Sequence, residues 1–272
     1  EIHRRFGDLL PPERLIATDP DAGEHTEIAP GALRERDVKV GRHVAISPGA
    51  LPRFLAHFEQ VYGRLGRTDG ILAAAAAHHR LLWIHPFVDG NGRTGRILNI
   101  LFLVEHGLLD SPILYLSRYI IQNKAAYYRL LKVVTHEQDW ASWIMFILDG
   151  VEETCRWTTD KIKSIRELME HTGEFVQSRL PKTYTWELVE VLFKQPYCRI
   201  GNLVDAGIAK RQTASVYLKQ LCDIGVLREV KSGRETIFVH PKYIELLTGE
   251  ENVWVYYAGV ETDNVEEDIE LV

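Results

Sequence analysis

Twelve consecutive residues, His85–Arg96 (HPFVDGNGRTGR), constrain this chain more than the other 260. The stretch before them, Ile71 to Trp83, is rich in Ala and Leu and has no β-branched run, which predicts a helix. Pro86 ends that helix, because proline lacks an amide proton and disfavours helical backbone at the residue before it. Asp89-Gly90-Asn91-Gly92 is turn chemistry. From Arg93 onward apolar residues return at helical spacing (Ile97, Leu98, Leu101, Phe102, Val104), closing at Gly107. The pattern is therefore helix, tight loop, helix, with glycines at the start of the second helix. Such a start offers free backbone N–H groups and the positive end of the helix dipole, which suits an anion.

The residue types fit phosphate chemistry. His85, with an ordinary pKa near ~6.5, can accept a hydroxyl proton at neutral pH. Asp89 is a hard oxygen ligand suited to a Mg²⁺ shared with nucleotide phosphates. Gly90 and Gly92 let the backbone approach an anion closely. Asn91 between them can offer a side-chain amide. Arg93 and Arg96 stand three apart near the helix start, and their guanidinium forks match phosphate oxygens. Taken singly, Asp89 reads as a helix cap and the arginines as a solvated face; the shared context favours a site. Phe87 reads as packing. His78 and His79 are adjacent, so their side chains diverge by about 100° on a helix and make a poor metal pair with His85.

The run HPFVDGNGRTGR resembles the signature of the Fic family, HPFx(D/E)GN(G/K)RxxR, with every fixed position filled. Pro30–Gly41 (PGALRERDVKVG), the HHRLLWI lead-in and Tyr127-Tyr128 followed by Trp140 and Trp143 agree with it. The resemblance implies a mainly α-helical bundle over residues 1–155 with a small β-hairpin flap. It implies protein adenylylation: a hydroxyl of a target protein (Tyr, Thr or Ser) attacks the α-phosphate of ATP and pyrophosphate leaves. In that scheme His85 is the base, Asp89 holds Mg²⁺, Gly90, Asn91 and Gly92 meet the α and β phosphates, and Arg93 and Arg96 meet the β and γ. Tyr128 and Leu131 would wall the adenine. Family members also transfer other phosphate-linked groups, remove AMP, or modify themselves. Many carry an inhibitory helix of pattern (S/T)xxxE(G/N); the nearest stretch here, Thr248–Asn252, ends in Asn where Glu is required. Glu1–Leu10 resembles the segment that follows such a helix, so the brake is expected upstream of Glu1 and the chain as given is expected to be deregulated.

Outside the loop, Arg36–Ser47 alternates Val38, Val40, Val44 and Ile46 around Gly41-Arg42, a short hairpin expected to line up a target strand. Pro52–Leu65 has helical spacing and belongs to the core. Arg118–Val133 is expected as one amphipathic helix, and Trp140, Trp143, Phe146 and Ile147 as a buried closing helix. Residues 156–180 read as a charged helical connector. Residues 181–248 read as a winged helix-turn-helix domain: helices at Trp186–Phe193, Ile200–Ala206 and Ala209–Cys222, then two strands joined at Ser232-Gly233. Residues 249–272 form an acidic tail with eight acidic residues and no Lys or Arg. Within the tail, Val253–Tyr257 is expected as an edge strand and Glu261–Val272 as mobile.

With 272 residues and 46% apolar content the chain can bury a sizeable core, and its net charge of −6 argues against general nucleic-acid binding. Locally, Pro196–Tyr243 holds eight Lys/Arg against four Asp/Glu, so residues 199–239 admit weak DNA contact, with Lys210, Arg211, Gln212 and Thr213 where base-contacting residues would sit. A nucleotide-sensing DNA-binding regulator is thus the alternative to an enzyme. The intact His85 argues against it, since a sensor needs no base. Three widely spaced cysteines read as reduced thiols of a cytoplasmic protein, no run suits a membrane span, and a homodimer is an open expectation.

Overall fold

The computed structural model describes residues 2–11, 15–18, 25–40, 43–62, 69–232 and 235–258. Its secondary structure is mainly α-helical with small antiparallel sheets. The chain divides into two units at Arg156/Trp157.

The first unit is built around a helix that is apolar nearly all round, which is the pattern of a helix buried on every side. Short helix α1 (Ile2–Asp8) and two small hairpins precede it: β1 (Ile16–Thr18) with β2 (His25–Glu27), and β3 (Lys39–Val40) with β4 (His43–Val44). The β1–β2 pair has no counterpart in the sequence patterns. The β3–β4 pair is the expected hairpin; its turn, Gly41-Arg42, lies outside the described residues. After a 3₁₀ turn at Pro48–Ala50 comes α2 (Leu51–Tyr62), and then the central α3 (Gly70–Ile84). Asp69 caps α3, its carboxylate accepting from the N–H groups of Ile71 (2.9 Å) and Leu72 (3.2 Å). Small side chains at Ala73, Ala74, Ala75 and Ala77 let neighbours approach closely: Phe58 and Tyr62 from α2, Leu98 and Phe102 from α4 (Asn91–Glu105). On another side stand α5 (Leu116–Gln122), α6 (Lys124–Glu137) and the start of α7 (Trp140–Arg179). Their Tyr119, Tyr127, Leu130, Val134, Trp143 and Ile147 form one core with Ala75. The fully buried Trp143 donates its indole N–H to the Ala75 carbonyl at 2.8 Å.

The single helix expected over 118–133 is two helices broken at Asn123. Asn123 leaves helical geometry (φ −108°, ψ 32°) and its side-chain amide donates to the Tyr119 carbonyl at 3.1 Å. Such local bonding lets asparagine compete with helix continuation.

The second unit runs α7, α8 (Trp186–Lys194), β5 (Tyr197–Cys198), α9 (Ile200–Asp205), α10 (Arg211–Asp223), β6 (Arg228–Ser232), β7 (Glu235–Val239) and α11 (Pro241–Thr248). The sheet order is β5-β7-β6, all antiparallel. The three helices and the two hairpin strands stand in the order read from the sequence, with β5 and α11 added; Gly233 and Arg234 of the hairpin tip lie outside the described residues. Gly207, at φ 72°, supplies the left-handed turn between α9 and α10. Lys210, Arg211, Gln212 and Thr213 are exposed at the start of α10.

The segment read as a helical connector, 156–180, is helical as far as Arg179, where α7 ends, and its Leu168, Phe175 and Val176 are buried in the same core as Leu188, Leu203, Leu218 and Phe238. The charged residues between them hid an apolar stripe with helical spacing. Val253–Tyr257 is not an edge strand. The Tyr257 N–H donates to His171 Nε2 at 2.9 Å, its ring stacks on Phe175 with centroids 4.5 Å apart, and the Ser164 hydroxyl donates to the Asn252 carbonyl at 2.7 Å. Contacts with α7 thus take the place of a ladder. The segment Glu261–Val272 lies outside the described residues.

The tightness of the first unit is open to test at Gly150 on α7, where a Cβ would stand 2.6 Å from the Tyr119 ring and 3.2 Å from Leu116 Cδ1. Gly150→Ala gains about 1 kcal/mol of helix propensity, but overpacking a buried ring contact costs about 1–3 kcal/mol. We expect net destabilisation in urea unfolding followed by circular dichroism.

Candidate functional site

Helix α3 ends where its sequence says it must. Ile84 is its last residue, and His85 takes the left-handed conformation (φ 51°, ψ 60°), its N–H donating to the Leu81 carbonyl at 2.9 Å. Pro86 then blocks a further turn. The conformation brings His85 Nδ1 to 3.3 Å from the Leu82 carbonyl. A carbonyl can only accept, so Nδ1 carries the proton and Nε2 keeps its lone pair. Burial is the largest influence on the ring and pushes its pKa below 6.5, with the nearby Arg34 and His43 charges acting in the same direction; the Leu82 bond opposes them. At neutral pH His85 is a neutral acceptor.

The loop beyond is held from inside. Asn91, only 2% exposed, turns its amide back on Phe87: Oδ1 accepts from the Phe87 N–H at 3.0 Å and Nδ2 donates to the Phe87 carbonyl at 2.8 Å. In this structure the amide clamps the loop. Gly90 (φ 83°) begins α4, and no side chain among the described residues caps it. The first N–H groups of α4 therefore lack a side-chain acceptor among the described residues. Asp89 is exposed and pairs with Arg93 at 2.8 Å.

A cavity of about 180 Å³ opens beside this loop. His85, Gly92, Arg96, Tyr128 and Leu131 all line it, as do His43, His79 and Lys132. Of the residues singled out from sequence, Asp89, Gly90, Asn91 and Arg93 are not in the lining. Tyr128 is 48% exposed at the rim, while its neighbour Tyr127 is buried with its hydroxyl 2.7 Å from His78 Nε2. The arginines divide: Arg93 stays with Asp89, and Arg96 faces the cavity. Its guanidinium lies close to Gly92, where an added Cβ would meet Nη1 at 3.3 Å. No carboxylate is among the lining residues, so the cavity suits a polyanion with an apolar end. Among the described residues no three His, Cys, Asp or Glu gather into a metal cluster.

Four further residues were missed by the sequence patterns. His3 of α1 accepts from the Gly31 N–H through Nδ1 (2.9 Å), donates through Nε2 to the Asp89 carbonyl (2.9 Å), and stacks on Phe87 at 3.8 Å. Arg34 is 2% exposed, and its Nε donates to the His85 carbonyl at 2.7 Å. His43 of the hairpin donates Nε2–H to the Trp83 carbonyl at 2.9 Å, and His79 donates Nε2–H to the Leu131 carbonyl at 3.2 Å. Their signal was present only as a histidine- and arginine-rich background, because partners 28 to 86 residues away leave no local period.

Comparison with known proteins places these elements. Residues 9–103 match the Fic/DOC family model, and residues 168–243 match the model "Protein adenylyltransferase SoFic-like, C-terminal domain". Proteins named "Protein adenylyltransferase Fic" from Drosophila virilis and Drosophila melanogaster are 41% identical over 81 residues, which is 30% of this chain and 15% of each of those proteins. The chain thus matches a small part of those relatives' length. A crystal structure of a Fic family protein from Desulfovibrio desulfuricans aligns at 20% identity over 78% of this chain and 63% of that one, with a TM-score of 0.44. Among the described residues no helix is long and apolar enough to cross a membrane.

The buried histidines set a pH limit. Burial pushes His78 and His79 down to about 4, and lowers His3 and His85, from 6.5. The unfolded chain binds protons on these rings first, so their contribution is complete above pH 6.5 and is lost as pH falls from 6.5 toward 4. By pH 5 His78 and His79 each remove on the order of 2 kcal/mol. The melting temperature of the first unit should fall steadily between pH 7 and pH 5 in calorimetry; a flat profile would contradict the buried neutral rings.

Proposed function

Starting from a chain that carries a Fic/DOC family domain followed by a SoFic-like C-terminal domain, we propose that it is a protein adenylyltransferase. It moves AMP from ATP to a hydroxyl of a target protein. The observation that carries this reading is the placement of His85: its Nδ1 lies 3.3 Å from the Leu82 carbonyl, which favours the Nδ1–H tautomer, and the residue lines a cavity with Arg96 and Gly92. A neutral imidazole with one lone pair free is what a general base requires.

In this reading the α and β phosphates lie against the start of α4, near Gly90 and Gly92, and Arg93 and Arg96 supply fixed positive charge to the β and γ phosphates. Tyr128 and Leu131 flank the adenine. Asn91 contributes by keeping the loop closed on Phe87. The target oxygen bonds to the α-phosphorus while His85 Nε2 takes its proton. The bond from that phosphorus to the bridging oxygen breaks, and pyrophosphate departs with the electron pair. The chain's work is orientation and charge neutralisation, as in phosphoryl transfer generally. A Mg²⁺ fits the residues present: Asp89 is an exposed single carboxylate next to the phosphate-binding turn, and this ion is commonly held by one or two carboxylates plus substrate phosphates. When bound, it neutralises charge on the phosphates.

The test uses α-³²P-ATP with Mg²⁺ and the chain, alone and with cell lysate. The wild-type chain should label itself or a target protein. His85→Ala should lower labelling by about 10²- to 10⁴-fold while nucleotide affinity, measured by calorimetry, stays within a few-fold. Absence of label from the wild type, or full labelling by His85→Ala, would refute the assignment.

A further inference from the structure

Arg34 makes an unusual set of contacts for a buried cation, because the side-chain hydrogen bonds it donates all end on backbone carbonyls. Nε donates to His85 O at 2.7 Å, Nη1 to Arg36 O at 2.7 Å, and Nη2 to Ile46 O, with a longer approach to Ile84 O at 3.5 Å. Its backbone N–H adds a bond to Pro86 O at 2.9 Å. These acceptors form two groups. Ile84 and His85 carry the last carbonyls of α3, at the negative end of its dipole, where a guanidinium is well placed. Arg36 and Ile46 lie on the two arms leading into the β3–β4 hairpin, whose stem is closed by the Ala45 N–H bond to Val38 O at 3.0 Å. One planar fork therefore fastens the hairpin stem and the backbone of His85 to each other.

His85 needs such a fastening. Its positive φ is a conformation that a side chain with a Cβ disfavours, and with this backbone Nδ1 stands 3.3 Å from Leu82 O. Arg34 grips the carbonyls on both sides of the residue 85–86 link, His85 O from its side chain and Pro86 O from its backbone.

We propose that Arg34 is a positioning residue for the transfer reaction: it holds the His85 ring in register with the β3–β4 hairpin, so that a target strand laid along the hairpin meets the base at a fixed distance. The inference rests on the adenylyltransferase reading for its consequence, but the geometry it asserts can be examined without any turnover. Lysine is not a conservative replacement, since a single ammonium nitrogen cannot take the place of a fork that donates from three separate nitrogens to three carbonyls.

The experiment compares the wild-type chain with Arg34→Lys. Two-dimensional ¹⁵N spectra of the histidine rings report the His85 tautomer, and labelling from α-³²P-ATP reports kcat and KM for the target or for self-modification. We expect the wild type to hold His85 as the Nδ1–H tautomer, and Arg34→Lys to show mixed tautomers and a shifted His85 titration. Its kcat should fall ten- to a hundredfold while the calorimetric affinity for ATP stays within threefold. If Arg34→Lys does not fold, Arg34→Gln, which keeps one donor for His85 O, is expected to show the same mixed tautomers. An unchanged His85 spectrum and kcat in the folded variant would overturn the proposal, as would a lower melting temperature with both of these unaltered. A wild-type chain that labels nothing would sink the adenylyltransferase reading alone; the tautomer comparison would still decide whether Arg34 positions His85.

Discussion

The geometry of the site depends on where α3 stops. Pro86 forbids a further helical turn, and His85 closes the helix in the left-handed region. For a residue with a side chain this conformation costs about 1–2 kcal/mol. The Arg34 Nε–H bond to His85 O is a hydrogen bond from a charged donor, worth about 1.5–3 kcal/mol net, and the His85 N–H still reaches Leu81 O. Those two bonds exceed the strain, so the unfavourable backbone persists. With it comes the ring orientation, the Nδ1–H tautomer, and the place of Nε2 beside the cavity. A histidine one residue earlier on α3 would have kept helical geometry.

The loop that follows is stabilised by residues facing away from the cavity. Asn91 replaces the turn's missing backbone partners with both ends of its amide, and His3 spans from Gly31 to Asp89 while its ring covers Phe87. The uncapped start of α4 is left free as a result. Had Asn91 capped the helix instead, the N–H groups suited to an anion would have been occupied by its own carbonyl oxygen. Asparagine between two glycines is thus a brace that holds the loop closed on Phe87.

This explains which parts of the molecule were legible in the sequence. Helices α3 and α4 and the break between them follow from Pro86, the glycine turn and helical spacing, all of them local signals, and the helix-turn-helix order of the second unit follows from apolar periodicity and Gly207. His85 and Arg96 could be identified as neighbours because a short loop leaves little freedom. The roles of Arg34, His3 and Asn91 were hidden because each depends on what the side chain meets after folding. Arg34 sits in the charge-rich stretch ALRERD, which reads as solvated surface, yet it is 2% exposed. The packing of residues 156–180 was hidden in the same way: eight Lys, Glu and Arg are interspersed among the apolar residues, but Leu168, Phe175 and Val176 are the ones buried in the core. The break at Asn123 was missed for the opposite reason, since a single side-chain bond to Tyr119 outweighs an otherwise continuous helical pattern.

The distribution of charge also bears on chemistry. Four histidines, His3, His78, His79 and His85, have pKa values lowered chiefly by burial, and all are neutral at physiological pH. A cavity meant only to attract an anion would gain from protonated rings, so neutrality must serve something else. The positive potential comes instead from groups that do not titrate near pH 7: Arg96 and Lys132 in the lining and the dipole of α4 beside it. That separation matters because a bound polyanion raises the proton affinity of nearby imidazoles, and a histidine already protonated cannot act as a base. Burying His85, and placing Arg34 and His43 beside it, counters this rise. In the proposed reaction the permanent cations would hold the phosphates, while a neutral His85 in the same lining would keep its lone pair for the incoming hydroxyl.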